Sequence, residues 1–422
     1  MTVATNIHDD FQLLLDASQD ALRARWSIYE RIRESEPIFR HGPVTFVTRF
    51  SDVNQILLDP KSFHSGPSNT GVPESRVAGF SAEERKAFQG IVDYESRWMT
   101  MVNGDRHERI RALGVRVFSP RAVQQLQGQI ERTVQDLLSE LRLRGRADYI
   151  EDYAYKLPLR VISDLLEIPD EMVMPLHRAW KQLLPARAGM AWRSGLPTGL
   201  VDAHAGYVSV HDQMYDLLRM QRGRSKSLIM QNISEALDDD RVEEADVVAV
   251  MVNFFTAGHQ TTQDLLGNAL VAFAENPDQW ELVKRDPTLV RNAVEEVLRF
   301  RSPVQDVERF TAVDVEMAGT TIDSGTQVTL SLGSAGRDPD QFTAPNEFDV
   351  TREDANKHMA FGRGAHFCLG AALARMEAAA TIHYLAENCP DITLLTDPPI
   401  FVESTHGCGY KELPVDFGRS AH

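Results

Sequence analysis

Cys368 stands in the run FGRGAHFCLG, residues 361–370, beside His366 and between the glycines Gly362, Gly364 and Gly370. A helical pattern, LGAALARMEAAATIHYLAEN, follows at once. A cysteine at the mouth of a helix meets the positive end of the helix dipole and backbone N–H groups with no partner of their own. Both favour thiolate over thiol. A thiolate so placed can attack an electrophile, be oxidised, or bind a metal. The glycines let the backbone come close to something flat and bulky.

Two further segments carry residue types that do chemistry. Residues 247–275, VVAVMVNFFTAGHQTTQDLLGNALVAFAE, are apolar almost all round, as in a buried helix. Asn253, Ala257 and Thr261 share one face at four-residue spacing. Gly258 leaves room for something to press on the backbone, and the pair Thr261–Thr262 can bond back to carbonyls and bend the helix. A core helix with a tolerated glycine would give the same pattern. In RNAVEEVLRF, residues 291–300, Glu296 and Arg299 share a face. A solvated salt bridge is one reading; the apolar neighbours Val294, Val297 and Leu298 point instead to partial burial, where a lone charge is costly.

The elements that must hold these residues are mostly helical. Residues 26–36 and 122–145 have apolar positions at three- and four-residue spacing, and Pro37 fits a stop after the first. Strand patterns are few: residues 43–50, and residues 315–333 read as two or three short strands with glycine turns. Residues 64–80 and 185–199 read as loops of the kind that carry function. The expectation is a mainly α body with a small β region.

Composition narrows the class. The 422 residues are 43% apolar and 25% charged, as in a globular protein, and no apolar run reaches the roughly 18 residues of a membrane span. The N-terminus lacks the basic start and apolar core of a secretory signal. Three cysteines are too few for a disulfide scaffold, which suits a reducing cytoplasm. A net charge of −17 argues against non-specific nucleic-acid binding.

In their order, GDRHERIR (104–111), AGHQTT (257–262), EVLR (296–299), SAGRDP (334–339) and HMAFGRGAHFCLG (358–370) resemble the cytochrome P-450 superfamily in its soluble bacterial form. The resemblance runs from about Trp26 to the C-terminus. It implies one mostly helical domain over 1–422 with a small β subdomain, residues 1–20 being a flexible N-terminus, and haem between the long central helix and the cysteine loop. The cofactor would be haem b, iron protoporphyrin IX, with Cys368 as axial thiolate pushing electron density toward O–O cleavage. Phe361 would shield the sulfur, and Gly362 and Gly370 would allow close approach. His107, Arg111, Arg309, His358 and His366 match positions that bind the haem propionates, which as carboxylates need cations or donors. His358 and His366 near Cys368 also suit zinc, but zinc needs three or four ligands and no second cysteine lies near. Glu296 and Arg299 would be structural.

The resemblance also implies a reaction: one oxygen atom of O2 inserted into a small organic substrate, with electrons from a ferredoxin or flavodoxin and its NAD(P)H-dependent reductase. A haem-based sensor or carrier is a reading of another class. Thr261, with Ala257 and Gly258 before it, matches the threonine that works beside bound O2. Two places depart from the pattern. Gln260 stands where an acid is usual, and an amide cannot shuttle a proton by titrating. That leaves oxidative coupling or peroxide-driven oxidation open as outcomes. Gly336 stands where asparagine is more usual. Pocket candidates are Trp98, Asn253, Phe254, Val304, Gln305, Asp306, Phe401 and Val402, with Glu403 and His406 adding polarity. They suggest a substrate with an apolar body and polar handles, such as a natural product, peptide-derived compound or phenolic, made in secondary metabolism. Arg106, Arg109, Arg111, Arg116, Arg363 and Arg375 offer a basic docking patch for the electron donor.

Overall fold

A computed structural model describes residues 6–42, 44–66, 77–115, 118–190, 199–238 and 242–418. The molecule is mainly helical. The longest helix, Glu244–Glu275, runs through the middle, with Val247 to Phe255 all buried. Such a stretch has no polar face to offer water, so it forms only where other helices cover every side. Helices Lys156–Leu165, Leu200–Gln221 and Ala371–Asn388 pack against it.

The sheets are small. Five strands, β1 (Ile38–His41), β2 (Val44–Val47), β3 (Phe63–His64), β5 (Asp306–Thr311) and β8 (Gln327–Ser331), pair in the order β1-β2-β8-β5-β3. Strand β4 (Arg146–Asp148) pairs with β12 (Pro414–Asp416) and that with β9 (Thr393–Leu394). Hairpins β6 (Val315–Met317)–β7 (Thr320–Ile322) and β10 (Ile400–Phe401)–β11 (Tyr410–Glu412) complete the set. The five-stranded sheet has its own apolar core, built on Val47, Val328 and Leu330, beside the large helical one.

Local signals set the boundaries. Helix Gln19–Ser35 begins at Ser18, whose hydroxyl accepts from Ala21 N–H, and ends two residues before Pro37. Helix Pro120–Arg144 ends where Gly145 turns at φ +79°. The strand pattern of residues 43–50 yields only β2, because Phe50 already opens a helix, Phe50–Leu57.

Within the N-terminal residues 1–20, Ile7–Leu15 forms a helix that buries Phe11, Leu14 and Leu15. Ring contacts of Phe11 with Phe39 and Phe46 tie it to β1 and β2. Of the loop expected over residues 185–199, residues 185–190 belong instead to helix Asp170–Met190, and residues 191–198 lie outside the described residues. Most of the loop at residues 64–80 lies outside them as well.

Candidate functional site

Cys368 lies two residues before Gly370, which caps helix Ala371–Asn388. Its amide donates to Phe361 O at 2.9 Å, which closes the loop on itself. Solvent reaches the thiol, yet protein packs around it densely enough for burial to push its pKa up. A thiol that is both accessible and crowded faces a cleft rather than open solvent. The backbone N–H groups of Gly370 and Ala371, and the charges of Arg111 and Arg375, pull the other way and favour the thiolate. Gly364 is held at φ +68°, and a Cβ there would stand 2.6 Å from Leu57 O, so the loop needs glycine at that point.

Phe361 packs between the ring of His358 and the Arg375 guanidinium, which lies 4.5 Å from its centroid. Arg375 grips Glu295 with two bonds of 2.6 and 2.8 Å, and His358 Nε2 adds a third at 3.1 Å. Burial raises the Glu295 pKa, but these partners outweigh it and hold the carboxyl down at about 2. His358 Nδ1 accepts from Ala360 N–H at 3.0 Å. Both ring nitrogens of His358 are therefore used inside the protein. This corrects the expectation that His358 meets a propionate: it braces the loop instead.

The other four expected propionate partners form a group. The rings of His107 and His366 lie 4.1 Å apart. Arg111 donates to Phe367 O at 2.7 Å, and Arg309, from β5, donates to Glu308 O at 2.7 Å. Burial lowers the pKa of all four, Arg309 to about 10 and His366 to about 3, and for the histidines the neighbouring cations add to it. Among the described residues no carboxylate offsets this, and buried His107 Nε2 has no partner. A basic cluster that repels itself is a site for an anion.

The long helix supplies the opposite bank. Phe254 Cζ and Leu369 Cδ1 stand 2.7 and 2.9 Å from where a Gly114 Cβ would be. The helix and the cysteine loop thus converge on helix Gly104–Val115. One turn past Phe254, Ala257 is exposed in a stretch that is otherwise buried or half-buried. Thr261 donates from Oγ1 to Ala257 O at 2.9 Å, and Thr262 to Gly258 O at 3.4 Å, both back-bonds of the kind that bend helices. Gly258 has a different reason from the one expected. A Cβ there would meet Ile162 Cγ1 at 3.1 Å, so its space is filled by helix Lys156–Leu165 and is not open to a ligand. Gln260 turns its amide to Asp264, Nε2 to Oδ1 3.2 Å. His259 points elsewhere, its Nδ1 donating to Phe255 O and its ring against His177 and Trp180.

Glu296 and Arg299 are fully buried and lie apart from these groups, in a two-pronged ion pair that also binds Arg352 and the carbonyls of Gly336, Pro345 and Glu347.

The pocket candidates divide. Trp98 is 1% exposed and packs on Tyr207. Phe254 packs edge-on to Phe118, and Asn253 is buried beside it. Gln305 donates to Ser302 O, with its Oε1 2.3 Å from a would-be Gly333 Cβ, and Asp306 accepts from His406 Nδ1 at 2.8 Å. This corrects their reading as substrate handles, because both are turned into the protein. Phe401 lies over Tyr410 with its amide on Gln19 Oε1. Val304 is half-buried and Val402 exposed, so these two remain available. Sequence reasoning missed Asp264 and Glu295. Glu295 precedes the EVLR run directly, and Asp264 lies four residues past Gln260, the spacing of helical partners.

A flat group with an iron-binding face and carboxylates on its rim would fit this cleft: the thiol on one bank, the Ala257–Thr261 face on the other, and the basic cluster without an anion.

The Cytochrome P450 family model matches residues 200–403. Cytochrome P450 107B1 of Saccharopolyspora erythraea is 34% identical over 89% of this chain and 90% of its own length. The vitamin D(3) 25-hydroxylase of Pseudonocardia autotrophica is 33% identical over 93% and 94%. Among solved structures, P450BioI in complex with an acyl carrier protein carrying hexadec-9Z-enoic acid superposes with a TM-score of 0.84 at 28% identity, covering 95% of this chain and 100% of that one. CYP109E1 from Bacillus megaterium in complex with testosterone gives 0.82 at 26%, again covering 95% and 100%. With fold, cleft and relatives in agreement, the chain belongs to the cytochrome P450 family and is an oxidoreductase of the monooxygenase type.

Proposed function

We propose that Cys368 would be the thiolate ligand of a haem b, that His107, Arg111, Arg309 and His366 would take its propionates, and that Thr261 would serve the oxygen side. Bound through a cysteine thiolate, haem supplies the activation of O2 and the electron density that favours O–O cleavage. The rest falls to the chain. Gly370 and Ala371 N–H favour the thiolate of Cys368 against the burial that raises its pKa, and Arg375 stacks on Phe361 beside the loop. Thr261 Oγ1, parked on Ala257 O, can turn to donate a hydrogen bond where oxygen is reduced. The reaction is R–H + O2 + 2e− + 2H+ → R–OH + H2O. The observation that carries this reading is the exposed, crowded Cys368 beside a partly buried basic cluster that no carboxylate offsets among the described residues.

The substrate, in this reading, is a bulky natural product with an apolar body and one or two oxygen handles. Relatives named for vitamin D(3) hydroxylation and for polyketide biosynthesis, and one solved with testosterone, support that size and polarity. The inward turn of Gln305 and Asp306 supports apolar walls at Phe254, Val304 and Val402 over a charged pocket. Electrons come from a ferredoxin or flavodoxin with its NAD(P)H-dependent reductase, in the cytoplasm. Arg106 and Arg375 are spent on Asp246 and Glu295, whereas Arg109 has no ion-pair partner among the described residues and Arg363 binds only neutral groups, Asn54 Oδ1 and Lys357 O. Arg109 and Arg363 are left to meet the donor.

The reduced, CO-bound protein should show the red-shifted Soret band of thiolate ligation, and Cys368→Ala should lose it. A conventional Soret position in wild type would refute the ligand assignment. Spectral titration with testosterone and with palmitate then tests the substrate class: a spin shift with the fatty acid alone would overturn it.

A further inference from the structure

The residue before Thr261 is an amide and cannot titrate, yet it is hydrogen-bonded to one that can. Gln260 Nε2 donates to Asp264 Oδ1, one turn along the same helix. Asp264 is 8% exposed and lies against the backbone of the turn at residues 403–409. A Cβ on Gly409 would come within 2.2 Å of its Oδ1; one on Gly407 would lie 3.8 Å from both its Oδ2 and Ser404 Oγ. Val402, Glu403 and His406 at the outside of that turn are exposed. The carboxyl therefore links Gln260, the neighbour of Thr261 in the chain, to a turn whose outer residues are exposed.

No charged neighbour accounts for a carboxylate here. Arg25 bonds Leu22 O and Gly407 O, Arg301 is taken by Glu275 and the Tyr410 hydroxyl, and His406 by Asp306. Cys408 and Tyr410 of the same turn are buried, with Cys408 Sγ on Asn268 Oδ1. Burial, offset in part by the Gln260 bond, raises the Asp264 pKa to about 7. An asparagine would satisfy Gln260 without the cost of a buried acid, so packing alone does not explain aspartate.

We propose that Asp264 is the proton-holding group of the oxygen side, working through the Gln260 amide and refilled through the turn at residues 403–409. The proposal rests on the haem-thiolate reading above. When Asp264 is protonated its O–H donates to Gln260 Oε1; when it is ionised, Nε2 donates back. Asp264 Oδ would give up each proton drawn to the Thr261 side and regain one from solvent through the turn, while Gln260 would reorient without titrating.

The test uses the full-length haem protein as wild type, Asp264→Asn, Gln260→Leu and the swapped Gln260→Glu/Asp264→Asn. Infrared spectroscopy of the resting oxidised form, without substrate or reductant, should show a protonated carboxyl that titrates at about 7 in wild type and is missing in Asp264→Asn. With a plant-type ferredoxin, its reductase and NADPH but no substrate, electrons end on O2 as hydrogen peroxide, O2 + 2e− + 2H+ → H2O2. Asp264→Asn should slow peroxide release about tenfold or more and enlarge its D2O effect, within the range of a lost proton donor, and the swapped variant should recover most of it. Wild-type peroxide rates and isotope effect in Asp264→Asn, or no carboxyl titrating near neutrality, would overturn the proposal. If Asp264→Asn loses haem, Gln260→Leu decides: an unchanged rate overturns it, and a slowed one supports it. A wild-type protein without the thiolate CO band would instead sink the haem reading on which this one rests.

Discussion

Glu296 and Arg299 meet in a buried, two-pronged ion pair, Nε to Oε2 and Nη2 to Oε1 both at 2.7 Å, with neither side chain open to solvent. The remaining donors of Arg299 go to Gly336 O, Pro345 O and Glu347 O, and Glu296 Oε1 also accepts from Asp349 N–H and Arg352. The pair ties helix Val290–Phe300 to the irregular chain that leads toward the cysteine loop. It also accounts for Gly336, which had no explanation in the sequence: a Cβ there would lie 2.5 Å from Arg299 O.

Removing one partner leaves a buried charge alone. Glu296→Gln and Arg299→Ala should each lower stability by about 3–5 kcal/mol, seen as a fall in the urea midpoint. Loss of bound haem should follow from the loosened loop. A change below about 1 kcal/mol would show that the pair is not the brace described.

Gly258 is set by Ile162 and not by the cofactor side. Gly258→Val should overpack that contact and destabilise by about 1–3 kcal/mol. Adding Ile162→Ala should restore part of the loss. Thermal melts of the two single variants and the double give the coupling, and simple additivity would refute the assignment.

Arg309 is buried with no ion-pair partner among the described residues, and burial holds its pKa at about 10. Arg309→Met should therefore stabilise the haem-free protein while weakening haem retention by about 10- to 100-fold, the worth of one charged hydrogen bond. Melting curves of the apo form and haem transfer to apomyoglobin measure the two effects. The opposite sign in the apo protein would count against an unpaired cation.

Glu295 carries a pH signature. Its carboxyl, at about 2, sits below the ordinary value of 4.5, so it binds protons more weakly folded than unfolded. Its stabilisation is complete above about pH 4.5 and is lost as pH falls toward 2. Glu295→Gln should flatten urea midpoints across that acid window and be less stable than wild type near neutrality. A wild-type slope retained in the variant would assign the acid sensitivity elsewhere.

Of the two cations that the proposed function leaves to meet a redox donor, Arg109 is the more exposed. Arg109→Glu should slow ferredoxin-driven reduction several-fold and weaken its salt dependence, measured by stopped flow under CO at two ionic strengths. Unchanged kinetics would move the docking surface.

The sequence by itself determined the helical class, the buried central helix and the order of the motifs around Cys368, because periodicity and glycine placement act over a few residues. Through the resemblance carried by those motifs it also put His107, Arg111, Arg309, His358 and His366 forward as anion partners. Only the tertiary structure decided which charges were already spent. His358 and Arg375 close on Glu295, Asp306 on His406, and Gly258 on Ile162 through side chains distant in sequence, and no local pattern encodes which of two reachable partners wins. The same holds for Asp264. Its spacing from Gln260 is visible in the sequence, but the burial that raises its pKa comes from the turn at residues 403–409, more than a hundred residues away in the chain.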